Sequence, residues 1–162
     1  MMESPVAVYT IGHSNHSLKG FLQLLKQYDI EMVVDVRSKP YSRYVPHFAK
    51  KTLQSELEQQ GVKYLYSGRK LGGFPQSPEF YDEKGRVKYE KLADASFFQD
   101  GITFLEKEIY RERTAVMCSE ENPLRCHRHL LLAGILQEKG IEVYHIRGNG
   151  NIQSYEETFT LN

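Results

Sequence analysis

The chain predicts an α/β fold: a three-layer open sheet of about five mainly parallel strands with helices on both faces, plus a Gly/Pro-rich insertion. Short apolar, β-rich runs alternate with stretches of helical period, which implies parallel pairing through right-handed crossovers. These units are too few for a closed barrel, which needs eight. A length of 162 residues corresponds to a single domain over 1–162, long enough to bury a core without staples.

Val6–Ile11 (VAVYTI) is β-rich and stops at Gly12. Ser17 is placed to cap a helix whose Leu18, Phe21, Leu22 and Leu25 recur at helical spacing. Glu31–Val36 (EMVVDV) has the continuous apolar centre of a buried parallel strand. A second helix runs from about Lys50 to Gln60, with Leu53 and Leu57 inward and Gly61 at its end. Lys63–Tyr66 (KYLY) is a short strand. The inserted region, about 67–95, is rich in Gly and Pro and lacks a period, so it reads as a long loop or lid with a turn at Asp82–Gly85. From Ser96 the pattern is helical again, with Phe98, Ile102, Leu105 and Ile109 on one face. Thr114–Met117 (TAVM) is a buried strand running into Cys118. Asn122 reads as an N-cap and Pro123 as the first residue of a helix that continues to Gly140. Glu142–Ile146 (EVYHI) is the last strand, and the residues beyond RGNGN are too polar to place.

Composition narrows the functional classes. Hydrophobic residues are 40% and charged residues 26%, as in ordinary globular domains, which excludes fibrous and disordered classes. No apolar run approaches the roughly 18–20 residues of a membrane span. The N-terminal residues lack the basic flank and apolar stretch of a secretory signal, so a cytoplasmic protein is expected, with no membrane partner. Two cysteines, Cys118 and Cys126, are too few for a disulfide scaffold and read as thiols. The 21 basic and 21 acidic residues cancel, yet Arg37–Lys51 holds Arg37, Lys39, Arg43, Lys50 and Lys51 and no acid. That local field is what an anion meets.

Ligands of open parallel sheets bind beyond the carboxyl ends of the strands. Five polar motifs fall there: Gly12–Ser14, Asp35–Arg37, Ser67–Lys70, Cys118–Glu120 and Arg147–Gly150. Cys118 lies between a strand and a helix-opening loop, with Arg125 and Arg128 downstream. Helix amides and guanidinium groups stabilise a thiolate, which makes Cys118 a candidate nucleophile; the plain alternative is a small buried residue at a strand end. The six residues between Cys118 and Arg125 are one more than the phosphate loop of cysteine phosphatases has. Cys126 and His127 are placed in the first helical turn, where Cys126 could resolve an oxidised Cys118. A metal site of Cys118, Cys126, His127 and His129 does not match zinc spacing, so no metal and no cofactor are expected; His129 reads as a solvated helix residue. Asp35 and Arg37 share one strand face: either Asp35 is a base and Arg37 an anion fork, or the two form an ion pair that fixes the loop. His13 is either an acid–base group or a partner of nearby backbone. Arg43, Tyr41, Tyr44, His47 and Phe48 mix charge with aromatic faces, which suits a nucleotide or a single nucleic-acid strand; the alternative is a solvated loop. Leu71, Gly72 and Gly73 could bring backbone close to a ligand or hinge a lid.

TyrThrIleGlyHisSer (Tyr9–Ser14), ValAspValArg with SerLysProTyrSerArg (Val34–Arg43), ProHisPhe (Pro46–Phe48), LeuGlyGly (Leu71–Gly73) and MetCysSerGlu…ArgCysHisArg (Met117–Arg128) together resemble the prokaryotic family called domain of unknown function 488. The resemblance implies a shared site of His13, Asp35, Arg37, Cys118, Glu120, Cys126, His127 and Arg128, and no assigned activity. The early AspValArg strand and the late strand–Cys–loop–helix unit are also similar in architecture to rhodanese-type domains. Two functions are expected from these readings. One is an enzyme on an anionic, phosphate-bearing substrate, with catalytic Cys118, His13, Asp35 and Glu120 and anion-binding Arg37, Arg43, His47, Arg125, Cys126, His127 and Arg128. The other is a non-catalytic nucleic-acid or nucleotide module built on residues 37–51.

Overall fold

The computed structural model describes residues 6–157; residues 1–5 and 158–162 of the expected domain lie outside the described residues. Strands β1 (Ala7–Gly12), β2 (Met32–Asp35), β3 (Lys63–Tyr66), β4 (Thr114–Cys118), β5 (Glu142–Ile146) and β6 (Ile152–Ser154) form one sheet in the order β3-β2-β4-β1-β5-β6. Every pair is parallel except β5 with β6. The α/β architecture is the expected one. The sixth strand is an addition: RGNGN, instead of ending the sheet, turns the chain back so that Ile152 pairs with Ile146. A three-residue antiparallel edge strand carries too little apolar signal to be read from sequence.

Helices α1 (Leu18–Gln27) and α2 (Lys50–Gln59) cover one face, where Phe21, Leu25, Leu53 and Leu57 meet Ile11, Val33 and Met117. Helix α5 (Ser96–Arg111) and the segment after β4 cover the other, where Phe98, Ile102, Leu105 and Leu132 meet Val8, Val34 and Val116. Ser17 caps α1 as expected: its Oγ accepts from Gly20 N at 3.0 Å. The insertion is more ordered than a loop. It holds α3 (Gly68–Leu71), α4 (Tyr89–Asp94) and a 3-10 turn at Pro78–Phe80, and Phe80 and Leu92 are core residues.

The helix expected from Asn122 to Gly140 is not continuous. Asn122 Oδ1 does accept from Leu124 N at 3.0 Å, and Pro123 does open a turn, but it is a 3-10 turn of Pro123–Arg125. Cys126 then goes extended, with φ −126° and ψ 144°, so it does not sit in a helical first turn. The chain resumes as a wide π-helical segment, Arg128–Ala133, before α6 (Gly134–Glu138). The cause is tertiary: Cys126 and Arg128 are both committed to buried contacts under β4, which overrides the local signal.

The connection after β2 runs outward to β3, whereas that after β4 runs the other way, past β1, to β5. The reversal puts a crevice at the carboxyl ends of β2, β4 and β1. Register places Gly12 beside Cys118 and Asp35 beside Met117, so these residues meet at one rim.

Candidate functional site

The rim residues form two clusters, one in each layer, because side chains alternate across a sheet. In the α1/α2 layer, Arg37 grips Asp35 twice: Nε donates to Oδ1 at 2.9 Å and Nη2 to Oδ2 at 2.7 Å. The Arg37 backbone N and the Tyr64 hydroxyl also donate to this carboxylate, at 3.1 and 2.6 Å. Burial and the Asp35 charge push the Tyr64 phenol well above its ordinary range. The remaining Arg37 nitrogen, Nη1, lies 3.2 Å from His13 Nε2. Since a guanidinium only donates, His13 Nε2 accepts, and its proton sits on Nδ1, which donates to Ser14 O at 2.8 Å. Burial pushes His13 down to about 4, in keeping with this neutral tautomer, and its ring stacks on Phe48 at 4.6 Å. The Ser14 carbonyl is thus held although Ser14 has φ 44°, in the left-handed region. Asp35, Arg37 and His13 are almost fully buried and satisfy one another. Asp35 and Arg37 thus form a buried ion pair, and His13 is bonded to the Ser14 backbone.

Cys118 points into the opposite layer, with Val116. Arg128, fully buried, donates Nε to Cys118 Sγ at 3.1 Å, Nη2 to the carbonyls of Glu120 and Glu121 at 2.7 Å each, and Nη1 to Thr10 Oγ1 at 2.6 Å. Thr10 Oγ1 also lies 2.5 Å from His145 Nδ1, and His145 Nε2 lies 3.1 Å from His129 Nδ1. Burial, reinforced by the Arg128 charge, pushes His145 down to about 2 and lowers His129 as well. The solvated role expected for His129 is corrected: its ring is buried against His145 and Tyr155.

The two free thiols, Cys118 and Cys126, are buried in the same core cluster, and Cys118 Sγ donates to Glu120 O at 3.7 Å. Burial pushes the Cys118 thiol up, so it keeps its proton. The neighbouring Cys118 side chain, followed by His127, pulls the Cys126 thiol down to about 4. His127 Nδ1 lies 3.6 Å from the Cys126 sulfur. His127 Nε2 is buried without a hydrogen-bond partner among the described residues. Gly73 lies against this imidazole; a Cβ there would come within 2.8 Å of His127 Cγ. Gly72 and Phe74 are tied to the other layer, Phe74 N donating to Ser38 Oγ at 2.9 Å. The strip Gly72–Phe74 thus spans from the end of β2 to the thiol pair. Leu71 is fully buried in the core and anchors this strip. Beside it a cavity of about 580 Å³ opens between Ser38, Arg69, Phe74 and Phe97.

The outlying residues differ. Arg43 and Arg125 are exposed. Arg43 lies 5.1 Å from the Tyr44 ring centroid, and Tyr41 and Tyr44 are 68% and 80% exposed. His47 is turned inward, its Nε2 donating to His16 O at 2.8 Å. Glu120 is exposed and enters the cluster only through its carbonyl. Among the described residues no group of three or more His, Cys, Asp or Glu is arranged to hold a metal ion, and no helix is long and apolar enough to cross a membrane.

Several members of this site lay outside the sequence reading: Thr10, Tyr64, His145 and Glu121, whose carboxylate takes Arg147 Nε at 3.0 Å and Gly148 N at 2.9 Å. The available signal was parity: Thr10 and His145 each interrupt an apolar strand on the face that Cys118 shares.

A family model described as domain of unknown function DUF488 matches residues 17–135, which include every candidate except His13. No curated protein and no solved structure matches the chain.

Proposed function

The chain belongs to the DUF488 family, whose description assigns no activity, and from that premise we propose a thiol-dependent enzyme acting on a phosphate-bearing substrate, with Cys126 as its nucleophile. The observation that carries this reading is the contact of Cys126 Sγ with His127 Nδ1 at 3.6 Å. A thiol beside an imidazole is the arrangement that activates sulfur for attack. In this reading Cys118 is the neighbour that steadies the thiolate, and Arg128 is a positioning residue that orients Cys118. His127 Nδ1, the ring nitrogen beside the sulfur, passes a proton to the leaving group. Asp35, Arg37 and His13 hold the neighbouring loops in register. The anion is met by the exposed cations Lys39, Arg43 and Arg125, because Arg37 and Arg128 spend their donors inside the protein. Cys126 is only 6% exposed, so substrate entry requires the Gly72–Phe74 strip to shift.

The test is alkylation of the full chain with iodoacetamide across pH. Cys126 should react at a rate already on its plateau near neutral pH, and a nucleoside monophosphate should slow the reaction while the uncharged nucleoside does not. Arg43→Ala should abolish that protection. A Cys126 rate that rises only with the ordinary thiol ionisation near pH 8.5 overturns the reading.

A second reading, a non-catalytic nucleic-acid module, is favoured by the exposed Tyr41 and Tyr44 rings beside Arg43. It expects single-stranded DNA to bind with steep salt dependence, and Tyr44→Ala to weaken binding on the order of tenfold, from a stacking contribution of about 1–3 kcal/mol.

A further inference from the structure

We propose that the cavity of about 580 Å³ beside the Gly72–Phe74 strip is a nucleobase pocket, so that the phosphate-bearing substrate is a nucleotide and Phe74 is the ring on which its base stacks. The size falls within the range of small-molecule sites. Phe74 is 73% exposed, although Gly72 and Gly73 before it are buried. This exposure is not the slack of a free loop. Phe74 N donates to Ser38 Oγ at 2.9 Å, and the Tyr81 hydroxyl donates to Pro75 O at 2.7 Å, so the main chain is pinned at the ring and again one residue on. A large apolar ring held in water at the mouth of a cavity packs no core and is free to receive a planar partner. The second aromatic wall is Phe97, half-buried and set edge-on against the buried Phe80, with ring centroids 5.7 Å apart and planes at 90°.

The polar lining fits a base and its phosphate. Ser38, Gln76 and Ser77 line the same cavity. Ser38 Oγ accepts from Phe74 N, which leaves its own proton to donate. The Gln76 and Ser77 side chains make no hydrogen bond among the described residues, and Ser77 does not cap the 3-10 turn that follows it. Unspent donors and acceptors beside aromatic faces suit the edge and the face of a base. Among the described residues no Asp or Glu lines the cavity, whereas Arg69 does, and its side chain has neither an ion pair nor a hydrogen bond there. Lys39 follows Ser38 directly in the chain. An uncharged aromatic ring or a fatty chain leaves this cationic side unmatched; a nucleotide uses both the rings and the charge. The pocket also adjoins the thiol site. Gly72 and Phe74 line it, and Gly73 between them lies against the His127 imidazole, whose Nδ1 is 3.6 Å from Cys126 Sγ. A base seated on Phe74 thus bears on the strip that must shift for Cys126 to be reached. The inference deepens the proposed function and rests on it for the fate of the phosphate, but the contacts of the pocket do not depend on Cys126.

The experiment titrates the full chain by calorimetry with adenosine 5′-monophosphate, ribose 5-phosphate and adenosine. The nucleotide should bind about tenfold or more tightly than ribose 5-phosphate, the share of one stacked base, and more tightly than uncharged adenosine. Phe74→Ala should weaken the nucleotide about tenfold and leave ribose 5-phosphate unchanged, while Phe74→Tyr should keep the wild-type affinity. Arg69→Gln should weaken the nucleotide and ribose 5-phosphate alike. Both side chains are exposed, so neither substitution removes a core contact. A nucleotide that binds the wild type no better than ribose 5-phosphate does, or that binds Phe74→Ala as well as the wild type, overturns the inference. If Cys126 alkylation is on its plateau near neutral pH and ribose 5-phosphate protects as well as the nucleotide, only the pocket fails. If the nucleotide binds with this dependence on Phe74 but Cys126 ionises as an ordinary thiol, only the nucleophile reading fails.

Discussion

Gly73 illustrates how one missing methyl group sets the chemistry of another side chain. Its Cα sits over the His127 imidazole, and an added Cβ would lie 2.8 Å from Cγ and 3.0 Å from Nδ1. The imidazole cannot yield without leaving Cys126, because Nδ1 is the atom that faces the sulfur. Gly73→Ala is expected to cost about 1–3 kcal/mol as an overpacked contact. It should also raise the pH midpoint of Cys126 alkylation, since the His127 bond is one of the causes holding that thiol low. An alanine variant with an unchanged midpoint would remove His127 from the account. At Gly12 the same argument concerns backbone. A Cβ would fall 1.6 Å from the Glu120 carbonyl oxygen, so β1 and the loop after β4 can lie together only if residue 12 has no side chain. Gly12→Ala should therefore lower the urea midpoint by more than Gly73→Ala does, because the obstacle is main chain that cannot rotate away.

At the scale of elements, the segment from Asn122 to Ala133 separates what local sequence decides from what packing decides. The Asn122 cap and the Pro123 turn were legible, because each is a local hydrogen-bond and φ preference. The break at Cys126 and the π-helical restart were not, since both follow from contacts with β1 and β4. The strands β1 to β5 could be read to within a residue or two from apolar runs, and their order along the chain placed Cys118, Asp35 and Arg37 at one rim. Sequence spacing says nothing of what faces a guanidinium, so Arg37 and Arg128 read as anion forks although the fold uses their donors internally. Arg128 ties the restart to the loop after β4 through four separate acceptors. A lysine has one ammonium and cannot span them. Arg128→Lys should cost about 3 kcal/mol in urea unfolding, by leaving buried carbonyls and Thr10 without their charged donor. It should also loosen Cys118, seen as a faster reaction of that thiol with a small alkylating reagent. Loss of stability with no change at Cys118 would show that the arginine holds the loop alone.

For the molecule as a whole, three buried histidines spread over both layers are pushed down: His13 to about 4 beside Arg37, His145 to about 2, and His129 lowered. In the unfolded chain each would titrate near 6.5. Between that value and the folded one, the unfolded state binds more protons, so folding stability rises with pH through this window and falls as acid is added. The contribution is fully present above about pH 6.5 and is lost progressively toward pH 4 for His13 and lower for His145. A displacement from 6.5 to about 4 corresponds to on the order of 3 kcal/mol for His13 alone. Glu121 and Cys126, both lowered in the fold, act with the same sign at acid pH. Urea midpoints measured at pH 7.5 and pH 5 should therefore differ clearly, the lower pH being less stable. His145→Gln tests the assignment while leaving Thr10 and His129 a polar neighbour: an amide can both donate and accept, yet it does not titrate. That variant should flatten the slope between pH 5 and 7.5. A slope that persists unchanged in His145→Gln assigns the acid sensitivity to other groups, and a wild-type midpoint that is flat or rises toward acid contradicts the three lowered histidines on which both halves of the site depend.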